Sequence, residues 1–279
     1  MPSEELQYPT QPYSKVNRYD VREAKATYAL KIIHELVNTS PILHVSFTVP
    51  DSPFPTMLPM IGQMGSFARP SSDIGDVLDL YLHGYVSSRL INLSRKSNSS
   101  SNGTEIEPSG LPITIGASHI DGLVLALTPN SHSYNYRSAV LFGHAEVVMD
   151  VEEKLMAMEL ITNSVVRDRY RHTRLPPNNA EMQSTSILRV KIASGSAKIR
   201  SGMPSDDKSD LEDAALLDRV WTGVVPVHYT LGDPMPGPYN KLETPAYLDE
   251  FVRESNQDAK DIAVEAATKA MKPKVKQGE

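Results

Sequence analysis

Two serines and an arginine follow a strand-like stretch in the segment LYLHGYVSSRL (80–90). Its alternating leucines predict a strand that ends near His83, after which Ser87, Ser88 and Arg89 open a short helix. A helix start presents free N–H groups and the positive end of the helix dipole. Hydroxyls and a guanidinium at such a place would suit a phosphate group. The alternative is that Ser87 only caps the helix and that Arg89 is solvated.

Two further segments carry donors for an anion or a cofactor. The run SHSYNYRS (131–138) is rich in polar side chains and precedes an apolar strand, although a polar loop would have the same composition. Lys198 and Arg200 alternate on one face of a predicted strand, so both could reach one anion. Solvent exposure is the more common fate of such a pair.

The composition argues against several kinds of site. The chain has no cysteine, which rules out disulfides, iron–sulfur clusters and cysteine zinc sites. The motifs HExxH, GxSxG and GxGxxG are absent, and we expect no metal site. The net charge of −6 argues against a general nucleic-acid binder but leaves room for a local basic pocket.

Short β-rich stretches between turn residues dominate the secondary-structure pattern. The predicted strands cover 42–49, 56–62, 77–84, 112–120, 122–128, 136–150, 184–193, 194–202 and 221–232. The predicted helices cover 21–38, 151–166 and 245–271. Asp121-Gly122 resembles a hairpin turn, Gly143 a bulge, and Asp150 the N-cap of the second helix. We therefore expect a mainly β protein, a closed or nearly closed barrel with flanking helices.

The chain divides into an N-terminal arm (1–20), a main domain (21–240) and a C-terminal helix with a tail (241–279). The Ser/Asn/Gly-rich stretch 94–110 predicts a disordered insertion in the main domain. The first residues are polar and carry no apolar signal run, and no stretch has the length of a membrane span. We expect a cytoplasmic protein.

The chain resembles one known family in a series of segments that occur in the family's order. These segments are LHVSF, LPMIG, LYLHGYVSSRL, DGLVLALT, HSYNYRSAVLFGHAEVV, EEKLMAMELI, SAKIRSG and WTGVVPV. They are similar to the flavin-nucleotide-binding branch of the pyridoxamine 5'-phosphate oxidase-like superfamily, especially the 5-nitroimidazole-resistance (Nim-like) proteins and their fungal relatives. The resemblance implies a split β-barrel of the FMN-binding type, and a homodimer that holds FMN in a cleft between its subunits.

The resemblance also implies roles for individual residues. The implied cofactor-binding residues are Pro59, Met60, His83, Ser87, Ser88, Arg89, Asn135, Tyr136, Arg137, Lys198, Arg200 and Trp221. In this set the SSR segment would contact the phosphate, with Lys198 and Arg200 adding positive charge. The backbone of Pro59 and Met60 would face the flavin ring. Asn135, Tyr136 and Arg137 would line the pocket, and Trp221 would close it.

Three kinds of function fit these residues. An FMN-dependent oxidoreductase would act on a small organic substrate, nitro-like, quinone-like or a pathway intermediate, with His83 or Tyr136 as the catalytic proton donor. A haem-binding protein of the same fold would use His83 or His132 as the axial ligand. A non-redox protein would be either a flavin-binding module or a cofactor-free enzyme that reuses the cleft for acid–base chemistry. We expect a homodimer and a small-molecule substrate, with no nucleic-acid or membrane partner.

Overall fold

The chain is mainly antiparallel β-sheet with flanking helices, as the sequence predicts. The computed structural model describes residues 5–15, 26–99 and 109–269. Two compact units make up the chain. The first unit comprises 1–118 and 138–198, and the second unit comprises 119–137 and 199–279.

The strands are ordered β3-β2-β6-β7-β8-β5-β4, with β1 beside β8 and β9 beside β6. Within the described residues they are β1 (Ala26–Thr27), β2 (Leu43–Phe47), β3 (Thr56–Met60), β4 (Gly62–Gly65), β5 (Asp79–Tyr85), β6 (Leu111–Leu125), β7 (Ser133–Val147), β8 (Thr185–Arg200) and β9 (Gly223–Pro226). β2 pairs antiparallel with β3 and β6, and β5 pairs antiparallel with β4 and β8. The strands β6, β7 and β8 run through both units.

Most helices connect strands. They are α1 (Leu30–Asn38), α2 (Arg89–Ser99), α3 (Val151–Val165), α4 (Asn179–Ser184), α5 (Lys208–Leu211), α6 (Ala214–Leu217) and α7 (Ala246–Thr268). The predicted N-cap of α3 is confirmed, because the Asp150 carboxylate accepts a hydrogen bond of 2.9 Å from the Glu153 amide. That bond satisfies one of the amides that a helix start leaves without an intrahelical partner.

The core of the first unit follows from the alternation of side chains along its strands. Leu43, Val45 and Phe47 of β2 point to one side and are buried, as are Leu80 and Leu82 of β5. Helix α1 covers this layer with its apolar stripe, whose buried members are Leu30, Ile33, Leu36 and Val37.

A buried ion network attaches α3 to the opposite side of the same strands. The Glu153 carboxylate is buried and accepts hydrogen bonds from the Tyr81 hydroxyl at 2.9 Å and from Arg189 at 3.0 Å. Arg189 also donates to Glu146 at 2.9 Å. Burial and the adjacent Glu153 raise the pKa of Tyr81, so the hydroxyl stays protonated and donates. The first turn of α3 is therefore fixed to β5 and β8.

The described part of the N-terminal arm is held by a buried tyrosine–histidine pair. The Tyr8 hydroxyl lies 2.6 Å from Nε2 of His34, and Nδ1 of His34 lies 2.8 Å from the carbonyl oxygen of Ile74. Because that carbonyl can only accept, Nδ1 carries the proton and Nε2 accepts from Tyr8. Burial lowers the pKa of His34, which agrees with a neutral ring. The described part of the predicted arm, residues 5–15, is thus packed within the first unit.

One predicted turn and one predicted strand break are wrong for the same physical reason. Asp121-Gly122 lies inside the continuous strand β6, where a Cβ on Gly122 would come within 2.8 Å of the Val224 side chain. Residues 184–202 were predicted as two strands, but β8 runs unbroken through Gly195, where a Cβ would come within 2.7 Å of Leu141. These glycines permit a close approach of neighbouring chain and do not reverse its direction.

Several predicted boundaries also need correction. Of the helix predicted over 21–38, residues 21–25 lie outside the described residues, 26–27 form β1, and the helix begins at Leu30. The strand predicted over 56–62 is two strands that meet at Ile61. The strand predicted over 221–232 is shorter in the structure, where β9 covers only Gly223–Pro226 and ends at a proline that has no amide hydrogen to donate.

The predicted insertion 94–110 is only partly tested. Helix α2 continues to Ser99, so the start of that stretch is helical and not disordered. Residues 100–108 lie outside the described residues, as does the end of the C-terminal tail from 270 onward.

We expect Tyr8→Phe to lower the free energy of unfolding by about 1 to 3 kcal/mol, because it leaves Nε2 of His34 buried without a donor. Urea denaturation followed by circular dichroism measures this change. The matched control is Tyr13→Phe, since Tyr13 is exposed and packs its ring on Phe142 without a hydroxyl contact among the described residues. Equal effects of the two substitutions would contradict a role for the Tyr8–His34 bond.

Candidate functional site

The turn after β5 places the predicted phosphate-binding residues at a helix start. β5 ends at Tyr85 and α2 begins at Arg89, as the sequence predicts. The Ser88 hydroxyl accepts a hydrogen bond of 3.3 Å from the Ile91 amide. Ser88 is therefore the N-cap of α2, a role that the alternative interpretation assigned to Ser87.

Arg89 and Ser87 are the exposed members of this segment. Neither side chain makes a hydrogen bond or an ion pair within the described residues. Helix α2 has 11 residues, so its first turn carries the partial positive charge of a full helix. Free donors at such an end are the arrangement that binds a phosphate or another anion.

Two basic residues that sequence reasoning missed lie at the same end of α2. Arg95 folds back and donates to the Val86 carbonyl at 3.0 Å. Lys154 of α3 donates to the carbonyl oxygens of Met182 and Thr185. Burial lowers the pKa of Lys154, and the nearby charge of Arg95 lowers it further. No sequence signal links these two residues, because Lys154 reaches the site only through the packing of α3.

His83 lies beside the predicted flavin-facing residues. Its backbone amide donates to the Ile61 carbonyl at 3.0 Å, which puts Pro59 and Met60 on the adjoining segment of chain. The imidazole is exposed and makes no hydrogen bond within the described residues. Partial desolvation by the surrounding protein nevertheless lowers the pKa of His83, so the ring is mostly neutral near neutral pH.

In the second unit, Asn135 is fully buried and serves the fold. Its amide group donates to the carbonyl oxygens of Gly202 and Ala266, both at 3.2 Å. Its carbonyl oxygen accepts from Arg200 at 2.5 Å. Both polar atoms of the side chain are therefore engaged. The prediction that Asn135 and Arg200 face a cofactor stays untested, but both already have protein partners.

Arg137 is also engaged by the protein. Its guanidinium forms a two-bond ion pair with the buried carboxylate of Asp121, with both distances at 2.9 Å. A planar, bidentate pair of this kind holds the arginine in one orientation. Arg137 is therefore less available to a cofactor phosphate than Arg89.

The remaining predicted residues divide between the units. In the second unit Tyr136 is half-buried, whereas Trp221 is exposed with its ring over Gly223. His132 is exposed and its Nδ1 lies 3.0 Å from the Thr128 carbonyl. Lys198 belongs to the first unit, where it is half-buried and its carbonyl accepts from Ser138 at 3.2 Å.

Within 5–15, 26–99 and 109–269, no group of three or more His, Asp or Glu side chains is placed to hold a metal ion. In that part of the chain, no helix combines the length and apolarity that a bilayer crossing requires.

The buried hydrogen bonds of the Asn135 side chain lead to a prediction about stability. We expect Asn135→Ala to lower the free energy of unfolding by about 2 to 4 kcal/mol, because Arg200 and two carbonyl oxygens lose a buried partner. Thermal unfolding of the purified protein measures the loss. Asn130→Ala is the control, since Asn130 is exposed and makes no side-chain hydrogen bond among the described residues. A neutral Asn135→Ala would contradict the structural role.

Known proteins match the chain in family and in fold. A family model described as pyridoxamine 5'-phosphate oxidase matches residues 30–199, which is more than half of the 279 residues. No curated protein matches the sequence.

Two solved structures cover most of the chain. The flavocytochrome Anf3 from Azotobacter vinelandii is 24% identical, covers 88% of this chain and 99% of its own, and has a TM-score of 0.66. The FAD and haem binding protein from Mycobacterium smegmatis is 24% identical, covers 82% and 97%, and has a TM-score of 0.64. At these identities the likeness shows the fold alone, and with the family match it confirms the predicted split β-barrel.

A third solved structure bears on the predicted branch. It comes from Bacteroides thetaiotaomicron and is described as a candidate 5-nitroimidazole antibiotic resistance protein. It is 20% identical, covers 60% of this chain and 81% of its own, and has a TM-score of 0.42. A score this low carries no argument, so the Nim-like and fungal assignment stays a prediction.

Proposed function

Because the chain belongs to the pyridoxamine 5'-phosphate oxidase family, we propose that it binds a flavin nucleotide, FMN, with the phosphate at the start of α2. The proposed activity is the reduction or oxidation of a small organic substrate, nitro-like, quinone-like or a pathway intermediate. The cleft that holds the flavin lies between two copies of the chain in this proposal. The flavin supplies hydride transfer when it is bound, and the protein supplies orientation and charge.

The single observation that carries the proposal is the exposed, unpartnered guanidinium of Arg89 at the first turn of α2, among the residues that the structure describes. A phosphate monoester carries roughly −1.5 to −2 charges at neutral pH and offers three strong acceptor oxygens. Arg89, the free amides of the helix start and the Ser87 hydroxyl match those acceptors. Arg95 and Lys154 add positive charge behind them. A local basic site in a chain of net charge −6 favours a specific anion.

The neighbouring surface suits the flavin ring. Pro59 and Met60 present an uncharged segment next to His83. An imidazole can hold a proton at a ring nitrogen and donate it to a substrate, which is the role proposed for His83. Tyr136 remains the alternative donor. Trp221 is exposed, and its role in closing the site stays a prediction from the resemblance.

We expect Arg89→Ala to weaken FMN binding by about 10- to 100-fold, which corresponds to the loss of a charge-assisted hydrogen bond. Quenching of flavin fluorescence during titration measures the affinity. Fold stability should not change, since Arg89 has no partner among the described residues.

The control for this prediction is Arg171→Ala. Arg171 belongs to the same unit and forms an exposed ion pair with Asp168, so its loss should leave flavin affinity intact. Unchanged affinity in Arg89→Ala would refute the phosphate assignment.

A visible absorption spectrum of the untreated protein shows which cofactor it retains and is recorded before the titrations. Two flavin bands support the proposal, and a colourless protein that takes up neither flavin nor haem would point to the cofactor-free enzyme.

Haem binding is the second candidate, and one observation favours it. The His83 imidazole is exposed, its pKa is lowered, and it has no hydrogen-bond partner within the described residues. A neutral, uncommitted imidazole is the form that ligates haem iron. Two structures with the same fold are a flavocytochrome and a FAD- and haem-binding protein, which makes the candidate worth testing.

We expect His83→Ala to abolish the Soret band of haem-reconstituted protein if His83 is the axial ligand. His132→Ala is the matched control, because His132 is also exposed but its Nδ1 lies within hydrogen-bond distance of the Thr128 carbonyl. Absorption spectra of both variants after haem addition decide the point. Loss of the band only in His132→Ala would move the ligand to that residue, and no band in the parent protein would end the haem proposal.

A further inference from the structure

A cleft of about 540 Å³ opens beside helix α3 in the first unit. It is called the α3 cleft below. Binding sites for small molecules have volumes of about 300 to 1,000 Å³, so the α3 cleft has room for one such ligand. Phe67 after β4, one face of α3, and Tyr170 with residues 175–177 of the loop before α4 line it. Most of this lining is apolar or aromatic, and its ionised groups are two carboxylates, Glu152 and Glu159.

The two carboxylates stand at opposite ends of an apolar floor. Glu152 and Glu159 lie seven residues apart on α3, and Leu155 and Met156 come between them on the same face. Seven residues of α-helix rise by about 10.5 Å, which sets the spacing of the two acids along the cleft. Neither glutamate side chain makes a hydrogen bond or an ion pair with any described residue. The α3 cleft therefore carries two negative charges that the described protein does not pair.

Arginines of the neighbouring loop have other acceptors. Arg171 forms an ion pair with Asp168 at 3.2 Å. Arg174 donates to the Pro176 carbonyl at 3.0 Å and forms an ion pair with Glu181. Because these two guanidinium groups are engaged within the loop and α4, the acids of the α3 cleft stay available to a cation from solution.

The aromatic walls of the α3 cleft are fixed by the fold. The Tyr170 amide donates to the side chain of Asn163 on α3 at 2.8 Å. The Phe67 backbone amide donates to the hydroxyl of Tyr81, which is itself buried on β5. Burial and the nearby charge of Glu159 raise the pKa of Tyr170, so this carboxylate acts on the ring that forms the wall. Walls that are already in place lose little freedom when a ligand binds.

We propose that the α3 cleft binds a linear organic diammonium, an alkyl chain that carries an ammonium group at each end. Each ammonium group pairs with one of the two glutamates, and the methylene chain between them covers Leu155 and Met156. Covering those side chains removes apolar surface from water. The rings of Phe67 and Tyr170 add an attraction for a cation, which a neutral or acidic chain does not receive.

The α3 cleft is independent of the proposed flavin site. β4 begins directly after Ile61, beside the residues proposed to face the flavin, and Phe67 follows the other end of β4. No residue that lines the cleft belongs to the proposed flavin set. Failure of the flavin experiments would leave the diammonium site standing, and its own failure would leave the phosphate assignment at Arg89 standing.

The first test locates the ligand through a methionine of the cleft. The probe is 1,8-diaminooctane, and the protein is labelled with carbon-13 at its methionine methyl groups for nuclear magnetic resonance. We expect titration to shift the Met156 resonance, identified by its loss in Met156→Leu, in a saturable manner. Met149 is the control, because it is 83% exposed in the same unit and does not line the cleft. No shift at Met156, or equal shifts at both methyl groups, would overturn the proposal.

The second test removes one of the two charges. We expect Glu159→Gln to weaken the binding of 1,8-diaminooctane by about 3- to 10-fold at low ionic strength, because one ammonium loses its carboxylate in a partly desolvated cleft. Circular dichroism should not change, since the Glu159 side chain has no hydrogen-bond or ion-pair partner among the described residues.

The matched control for the charge removal is Glu35→Gln. Glu35 is exposed on α1 of the same unit, and its side chain makes no hydrogen bond or ion pair within the described residues. This variant has the same change in net charge, and we expect it to keep the affinity of the parent protein. Unchanged affinity in Glu159→Gln, or an equal loss in both variants, would overturn the pairing of an ammonium with Glu159.

Two further probes separate the contributions of charge and length. We expect 1,3-diaminopropane to bind more weakly than 1,8-diaminooctane, because it has the same charge but is too short to reach both glutamates. Octanedioate has the longer chain with a carboxylate at each end, and we expect it not to bind. Equal affinity of the two diamines would overturn the two-ended contact, and binding of octanedioate with the affinity of 1,8-diaminooctane would overturn the selection for a cation.

Discussion

The buried carboxylate of Glu153 is the constraint on which the candidate site depends. An ionised carboxylate is tolerated in a protein interior only with partners, and here Tyr81 and Arg189 provide them. Those bonds fix the first turn of α3 on the strands, and the next residue in the helix is Lys154. Its amine reaches the Thr185 carbonyl at the start of β8. β8 pairs there with the end of β5, from which the chain turns into α2.

The arginines differ in whether another residue of the protein compensates their charge. Arg189, Arg137 and Arg200 lie against buried acceptors of the protein, so their first role is to hold elements together. Removing one partner of a buried ion pair leaves the other charge uncompensated, which is far more costly than losing a surface ion pair. Arg89 is different, because it is exposed at a helix start and no described residue engages it. A cation in that position is available to a ligand, which is why the phosphate proposal rests on Arg89.

Local patterns in the sequence predicted the local structure well. The start of α2, the N-cap at Asp150 and the length of α3 depend on neighbouring residues, and all three predictions are confirmed. The turn predicted at Gly122 and the strand break predicted before Gly195 are wrong, because each glycine packs against a residue distant in the chain, Val224 in one case and Leu141 in the other. A glycine alone does not reveal whether it reverses a chain or admits a neighbour.

In the candidate site, too, the sequence did not reveal which side chains contact distant parts of the chain. Motif resemblance pointed to Asn135, Arg137 and Arg200 as cofactor residues, but each of them binds another part of the second unit. Resemblance gave no sign of Arg95 or Lys154, because side-chain reach across α2 and α3 brings them to the helix start. A residue type that recurs in a motif can be kept for the fold as readily as for the ligand. The two cases differ in whether the polar atoms of the side chain already have protein partners. Within the described part of the chain, the side chains of Arg89 and His83 have none, so both are available to a ligand.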